Sequence, residues 1–134
     1  MSKSKTKKTI KTQKAIFTEC PCVGATLDKL LQPAVLAILA KESMHGYELA
    51  KRIGDIPDFL SSPPDVSGVY RILKNLEARG MVVAGWDVCE TGRPKRLYTI
   101  TEDGRHCLEL WYDTLLNYRL TIDSLLKTTR SAIK

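Results

Sequence analysis

Apolar residues along the first half of the chain fall at helical spacing. Leu27, Leu30, Leu31, Ala34, Val35, Ile38 and Leu39 recur at intervals of three and four, which predicts an amphipathic helix. The ordered body begins near Ala25 on this reading. Pro33 inside the run marks either a bend or a second helix start, because an interior proline removes a backbone hydrogen bond. A shorter segment, His45 to Ile53, sets Tyr47, Leu49, Ala50 and Ile53 on one side and Glu48, Lys51 and Arg52 on the other. Gly54-Asp55 and Ile56-Pro57 end it, and Asp58 to Pro64 reads as a loop. A third helix starts at Asp65 or Ser67, either of which can cap it, and stops at Gly80. At about 100° per residue, Val69, Ile72, Leu73 and Leu76 share one side. Ser67, Arg71 and Lys74 share the opposite side, with Asn75 beside them. This layout suits a helix that enters a DNA groove, and from this face alone it suits an ordinary surface helix rather better.

The period then changes. Met81 to Val88 and Arg96 to Ile100 are rich in strand formers, and the stretch between them holds Gly92, Arg93, Pro94 and Lys95. Two strands joined by a basic loop make a β-hairpin of the kind called a wing. Beyond it Thr101 caps a last helix, with Glu102 and Asp103 at its positive end. Leu108, Trp111, Leu115, Tyr118, Ile122 and Leu125 follow at spacings of three and four, a heptad stripe that calls for a partner helix. Helical to Lys127, this element would be roughly 38–40 Å long, too long for a small body to cover. Thr128 to Lys134 reads as a short, polar, frayed tail. The predicted fold is mainly α with a small β-hairpin: a winged helix-turn-helix plus a long C-terminal dimerisation helix. The predicted organisation is a basic arm over 1–24, the winged helix-turn-helix over 25–101, and the dimerisation helix and tail over 102–134.

Charge sharpens this picture. The 134 residues carry 21 Lys and Arg against 15 Asp and Glu, a net charge of +6. Six lysines (Lys3, Lys5, Lys7, Lys8, Lys11 and Lys14) sit in the first 14 residues, and beyond them fifteen basic residues meet fifteen acidic ones. The excess therefore lies in an arm too poor in apolar residues to offset the entropy of ordering. Such an arm is either simply solvated or bound to a polyanion, and it lacks the apolar face a membrane surface requires. The longest apolar run, Ala34 to Ala40, is far short of the roughly 20 residues that span a bilayer. The expected location is cytoplasmic, with nucleoid association when bound to DNA. Neither a phosphate-binding glycine loop nor a nucleophile–base motif is evident, so no enzymatic activity is expected.

Four cysteines remain: Cys20 and Cys22 in a Cys-Pro-Cys pair, Cys89 at the hairpin, and Cys107 after His106. The pair is tighter than the spacing of structural zinc sites. If the cysteines meet they can bind a soft metal, at Cys20 and Cys22 above all, or form a disulfide; otherwise they are structural. No other cofactor is expected. His45 reads as capping or bridging its helix start. Tyr47, Tyr70 and Tyr98 read as core-edge residues or, for Tyr70, as a contact. Trp86 and Trp111 read as packing residues, and Trp111 is the candidate to line an effector pocket.

Three blocks carry a family resemblance. His45-Gly46-Tyr47-Glu48-Leu49-Ala50-Lys51-Arg52-Ile53 resembles the second-helix signature of the PadR-like transcriptional regulators. Val69-Tyr70-Arg71-Ile72-Leu73-Lys74-Asn75-Leu76-Glu77-Ala78-Arg79-Gly80 is similar to that family's recognition helix. Gly92-Arg93-Pro94-Lys95-Arg96-Leu97-Tyr98 is similar to its wing, and Gly104-Arg105 to the helix start that follows. The resemblance implies a homodimeric DNA-binding repressor whose effector enters near the dimer interface. By position, Ser67, Tyr70, Arg71, Lys74 and Asn75 would face the major groove. Arg93, Lys95 and Arg96 would reach the adjacent backbone or minor groove, and Tyr47 would brace the helices or touch a phosphate. The chain departs from the family pattern at Asp65-Val66-Ser67-Gly68, where Ser-Pro-Gly-Thr is usual. The residues leave two alternatives open: a cysteine-based redox- or metal-responsive DNA-binding switch, or a winged helix that binds protein instead of DNA.

Overall fold

The spacing of apolar residues after Leu30 produces α1, Leu31–Lys41, which buries Ala34, Val35, Leu36 and Leu39. Pro33 lies in its first turn, where a backbone N–H has no intrahelical acceptor, so it costs the helix no hydrogen bond. The computed structural model describes residues 29–60, 64–87 and 94–133. The basic arm with Cys20 and Cys22, and Cys89 and Arg93, lie outside the described residues.

After α1 comes β1, Met44–His45, and directly behind it α2, Gly46–Gly54. Then follow α3, Val66–Ala78, and the strands β2, Val82–Asp87, and β3, Lys95–Ile100. The chain ends in α4, Glu102–Ala132. The strands form an antiparallel sheet in the order β1-β3-β2, with Val82 opposite Ile100 and Trp86 opposite Arg96. The periodicity does not predict β1, because two residues are too few to show alternation. It pairs Met44 with Tyr98 and His45 with Leu97, so it ties the start of α2 to the hairpin.

The core lies where α1, α2 and α3 meet the sheet. Val35, Leu36, Leu39, Leu49, Ile53, Val69, Leu73, Leu76 and Val82 are almost wholly shielded from water. Each leucine buried there contributes about 1.5–3 kcal/mol relative to exposure. Gly80 follows α3 with φ +77°, the left-handed conformation glycine adopts without strain. The chain then turns so that Met81 N–H donates to Leu76 O at 2.8 Å.

Thr101 locks the start of α4. Its hydroxyl accepts from Gly104 N–H at 3.0 Å and lies 2.6 Å from Gly80 O, within donating distance. A Cβ at Gly104 would run into the Met81 carbonyl and the Ile100 side chain, so the helix start fits this joint only because residue 104 has none. The reading of Thr128 to Lys134 as a frayed tail is corrected: α4 continues to Ala132, and Ile133 N–H donates to Thr129 O at 3.1 Å. That stretch contains no glycine or proline to stop a helix. At 1.5 Å per residue, 31 helical residues extend about 46 Å. From Asn117 to Ile133 every residue of the chain is exposed. Among the described residues, no helix is long and apolar enough to cross a membrane.

Candidate nucleic-acid interface

Helix α3 is amphipathic as its spacing predicts. Val69, Leu73 and Leu76 are buried, while Ser67, Tyr70, Arg71, Lys74 and Asn75 are all exposed on the remaining surface. Among the described residues, neither Arg71 nor Lys74 has an ion-pair partner, so both charges face solvent uncompensated. Asn75 accepts a long hydrogen bond from Arg79 Nη1 at 3.4 Å. Of the two candidate caps, Asp65 is the one used: its Oδ1 accepts from Ser67 N–H at 3.3 Å. The acid that departs from the family pattern is therefore tied to the helix start, where the dipole favours a negative charge.

Tyr70 links this face to α2. Its ring lies so close to the backbone of Gly46 that a Cβ there would meet two ring carbons and the hydroxyl oxygen at 2.5–2.9 Å. Its other side meets the buried Tyr98 edge-on, with ring centroids 6.5 Å apart. Tyr70 is thus a bracing residue that still keeps 41% of its surface exposed. Tyr47 does not sit at the edge of the core: 67% of its surface is exposed. His45 stands at the N-cap of α2 without a side-chain capping bond, and its Nε2 instead lies 3.1 Å from Asp87 Oδ2 at the end of β2. It bridges elements and does not cap one. Together His45, Tyr47, Glu48, Tyr70, Trp86, Pro94, Lys95 and Arg96 line one cleft of about 460 Å³. The fold therefore gathers three sequence blocks, from α2, α3 and the hairpin, on one side of the molecule.

The hairpin divides its basic residues. Lys95 is exposed, whereas Arg96 is half-buried and turns inward, its Nη2 donating to Glu77 Oε2 on α3 at 2.9 Å. The Arg96 guanidinium also lies over the Trp86 ring, 5.3 Å from its centroid. Trp86 is not a core packing residue, since 67% of it is exposed; it carries the arginine. Period-two alternation makes neighbours on a strand point to opposite faces, and that rule separates Lys95 from Arg96 in sequence alone. Glu77, Trp86 and Gly46 belong to this site although none is basic or polar in the expected way.

On α4, Leu108 and Trp111 are half-buried, whereas Leu115, Tyr118, Ile122 and Leu125 are exposed. Leu126, about five helical turns beyond Leu108, lies on the same face and is exposed as well. Trp111 lines a shallow hollow of about 120 Å³ with Cys107, Leu110 and Thr114. Cys107 is half-buried and its thiol is free. Among the described residues, no group of three metal-ligating side chains occurs.

Comparison with curated proteins returns no match. Among solved structures, the chain is similar to a protein from Thermoplasma acidophilum described as a candidate transcriptional regulator. The two are 33% identical over 75% of this chain and 94% of that one, with a TM-score of 0.66. A Streptococcus mutans protein is 27% identical over 75% of this chain and 89% of that one, with a TM-score of 0.63. PadR of Bacillus subtilis, solved in complex with operator DNA, is 26% identical over 62% of this chain and 46% of that one, with a TM-score of 0.56. These likenesses agree with the winged-helix arrangement and long final helix described above. The model of the PadR-like transcriptional regulator family matches residues 35–110, more than half of the sequence. With the α2, α3 and hairpin blocks all inside or adjoining that span, the chain belongs to the PadR-like family, whose members are transcriptional regulators and not enzymes.

Proposed function

We propose that this regulator binds double-stranded operator DNA as a homodimer, represses transcription there, and is released by a small-molecule effector. The observation that carries the reading is the α3 surface: five sequence-predicted residues exposed together, with two uncompensated cations among them. Arg71 and Lys74 are the base readers, because Arg or Lys bonds guanine O6 and N7 in the major groove. Ser67, Tyr70 and Asn75 flank them. Lys95 and Tyr47 contribute contacts to the phosphate backbone beside the groove, and the Lys3–Lys14 arm adds charge that raises affinity without choosing sequence. That the Bacillus subtilis relative was solved in complex with operator DNA supports duplex DNA as the partner.

Dimerisation rests on α4. An exposed helical stretch of sixteen residues, Asn117 to Ala132, lacks the tertiary packing that supplies most helical stability in proteins, and a contiguous apolar face of this kind marks an interface. A second copy lying along Leu108, Trp111, Leu115, Tyr118, Ile122 and Leu125 removes that face from water. It also walls the hollow beside Trp111, whose present volume is below the roughly 300 Å³ usual for ligand sites. That is where an effector is expected to enter.

Selection of duplexes from a random pool, followed by fluorescence-anisotropy titration, tests the reading. Arg71→Ala is expected to cost about 1–3 kcal/mol on the selected sequence and much less on unrelated DNA. An equal loss on every sequence contradicts base reading by Arg71.

A further inference from the structure

Arg96 lies in a basic stretch, next to Lys95, and its residue type alone suits a phosphate contact. Its surroundings point elsewhere. The guanidinium donates to Glu77 on α3 at 2.9 Å and stacks over Trp86, its cross-strand partner. It also stands 6.0 Å from the ring of Tyr98, which in turn meets Tyr70 of α3. Arg96 Nε is buried and, among the described residues, has no hydrogen-bond partner. Held by Glu77 and Trp86, the Arg96 guanidinium is anchored at the joint between hairpin and α3. Glu77 also cancels its charge, so the pair adds little to the attraction of a polyanion.

We infer that Arg96 is a positioning residue: through Glu77 and Trp86 it sets the angle between the hairpin and α3, and it does not contact DNA. Among the described residues, the Arg96–Glu77 hydrogen bond is the one side-chain hydrogen bond joining α3 to β2 or β3. An ion pair this exposed contributes little to folding stability. Its effect is geometric, because it holds Lys95 at a fixed distance from Arg71 and Lys74. Fixing that distance lets hairpin and helix engage one duplex without a further ordering cost.

This inference rests on the DNA-binding reading, and one set of variants separates the two. Binding is titrated against the selected duplex over a range of salt, at a temperature where circular dichroism shows every variant folded. Arg96→Met and Glu77→Gln are each expected to weaken specific binding roughly threefold to tenfold. Neither should change the slope of log affinity against log salt. Lys95→Ala, which removes one phosphate contact per protomer, should flatten that slope by about 0.9 for each, about 1.8 for the bound dimer. Two results overturn the inference. One is tighter binding by Glu77→Gln together with a flattened slope for Arg96→Met, which makes Arg96 a phosphate contact. The other is unchanged affinity in both variants, which makes the pair merely structural. If the unaltered protein discriminates no sequence at all, the DNA reading itself fails. In that case the positioning role falls with it, whereas sequence discrimination that both variants leave at full affinity overturns the positioning role alone.

Discussion

At the scale of single residues, much of the interface is built by side chains that hold other side chains. Tyr70 seats on the bare backbone of Gly46 and against Tyr98, so it fixes how α3 crosses α2. Gly46→Ala forces a methyl group into that ring, and overpacking of this sort costs about 1–3 kcal/mol. Urea unfolding should show that loss, and Tyr70→Ala in the same chain should recover part of it. Tyr98 offers a second test. Burial pushes its phenol above the usual tyrosine value of 10.0, Arg96 pulls it back down, and Glu77 and Tyr70 add to the rise. A group whose pKa is raised in the folded state contributes stability that is complete below its unfolded value and fades as pH climbs through the folded one. Unfolding free energy is therefore expected to fall as pH rises past about 10, and Tyr98→Phe should lessen the fall. An identical pH dependence in both proteins would contradict a buried phenol at this position.

Elements show what periodicity can and cannot reveal. The exposed and buried faces of α3 are legible in the sequence because thirteen residues sample the helical repeat several times over. The two-residue strand β1 is not, although it moors α2 to the hairpin. Arg96 is a different case. Residue type groups it with Lys95, whereas strand alternation separates them, and the partner that claims Arg96 lies 19 residues away on another element. Only tertiary structure brings Glu77 and Trp86 to it. Asp65 is likewise ambiguous in sequence, as a cap or as a charge facing DNA, and the hydrogen bond to Ser67 N–H assigns it to the cap. Asp65→Ser keeps a capping oxygen and removes the charge. Its stability should stay within about 0.5 kcal/mol of the original, with DNA affinity equal or higher. Asp65→Ala should lose about 1 kcal/mol in the same unfolding assay.

For the whole molecule, the governing feature is the imbalance between a well-buried winged helix and an α4 whose outer half is exposed residue after residue. The heptad stripe was legible from spacing alone, because leucines and aromatics at 3,4 intervals define a face whatever the rest of the fold does. Its full width was not, since Leu126 joins the face only after about five turns of drift. The helix also runs on to Ala132, through residues whose polar character suggested a loose end. If two protomers pair along that face as proposed, their α3 helices are expected about 34 Å apart, one turn of DNA. Ile122→Asp with Leu125→Asp, two charges on the stripe, should give a monomer whose affinity for the selected duplex drops sharply while its circular dichroism keeps the winged-helix signal.

Sedimentation of the full chain, alone and on its selected duplex, probes the central claim most directly. The account predicts a dimer in solution and two protomers on one duplex whose half-sites repeat, related by two-fold symmetry, one helical turn apart. A lone protomer bound to an asymmetric site, or binding indifferent to half-site spacing, would contradict it.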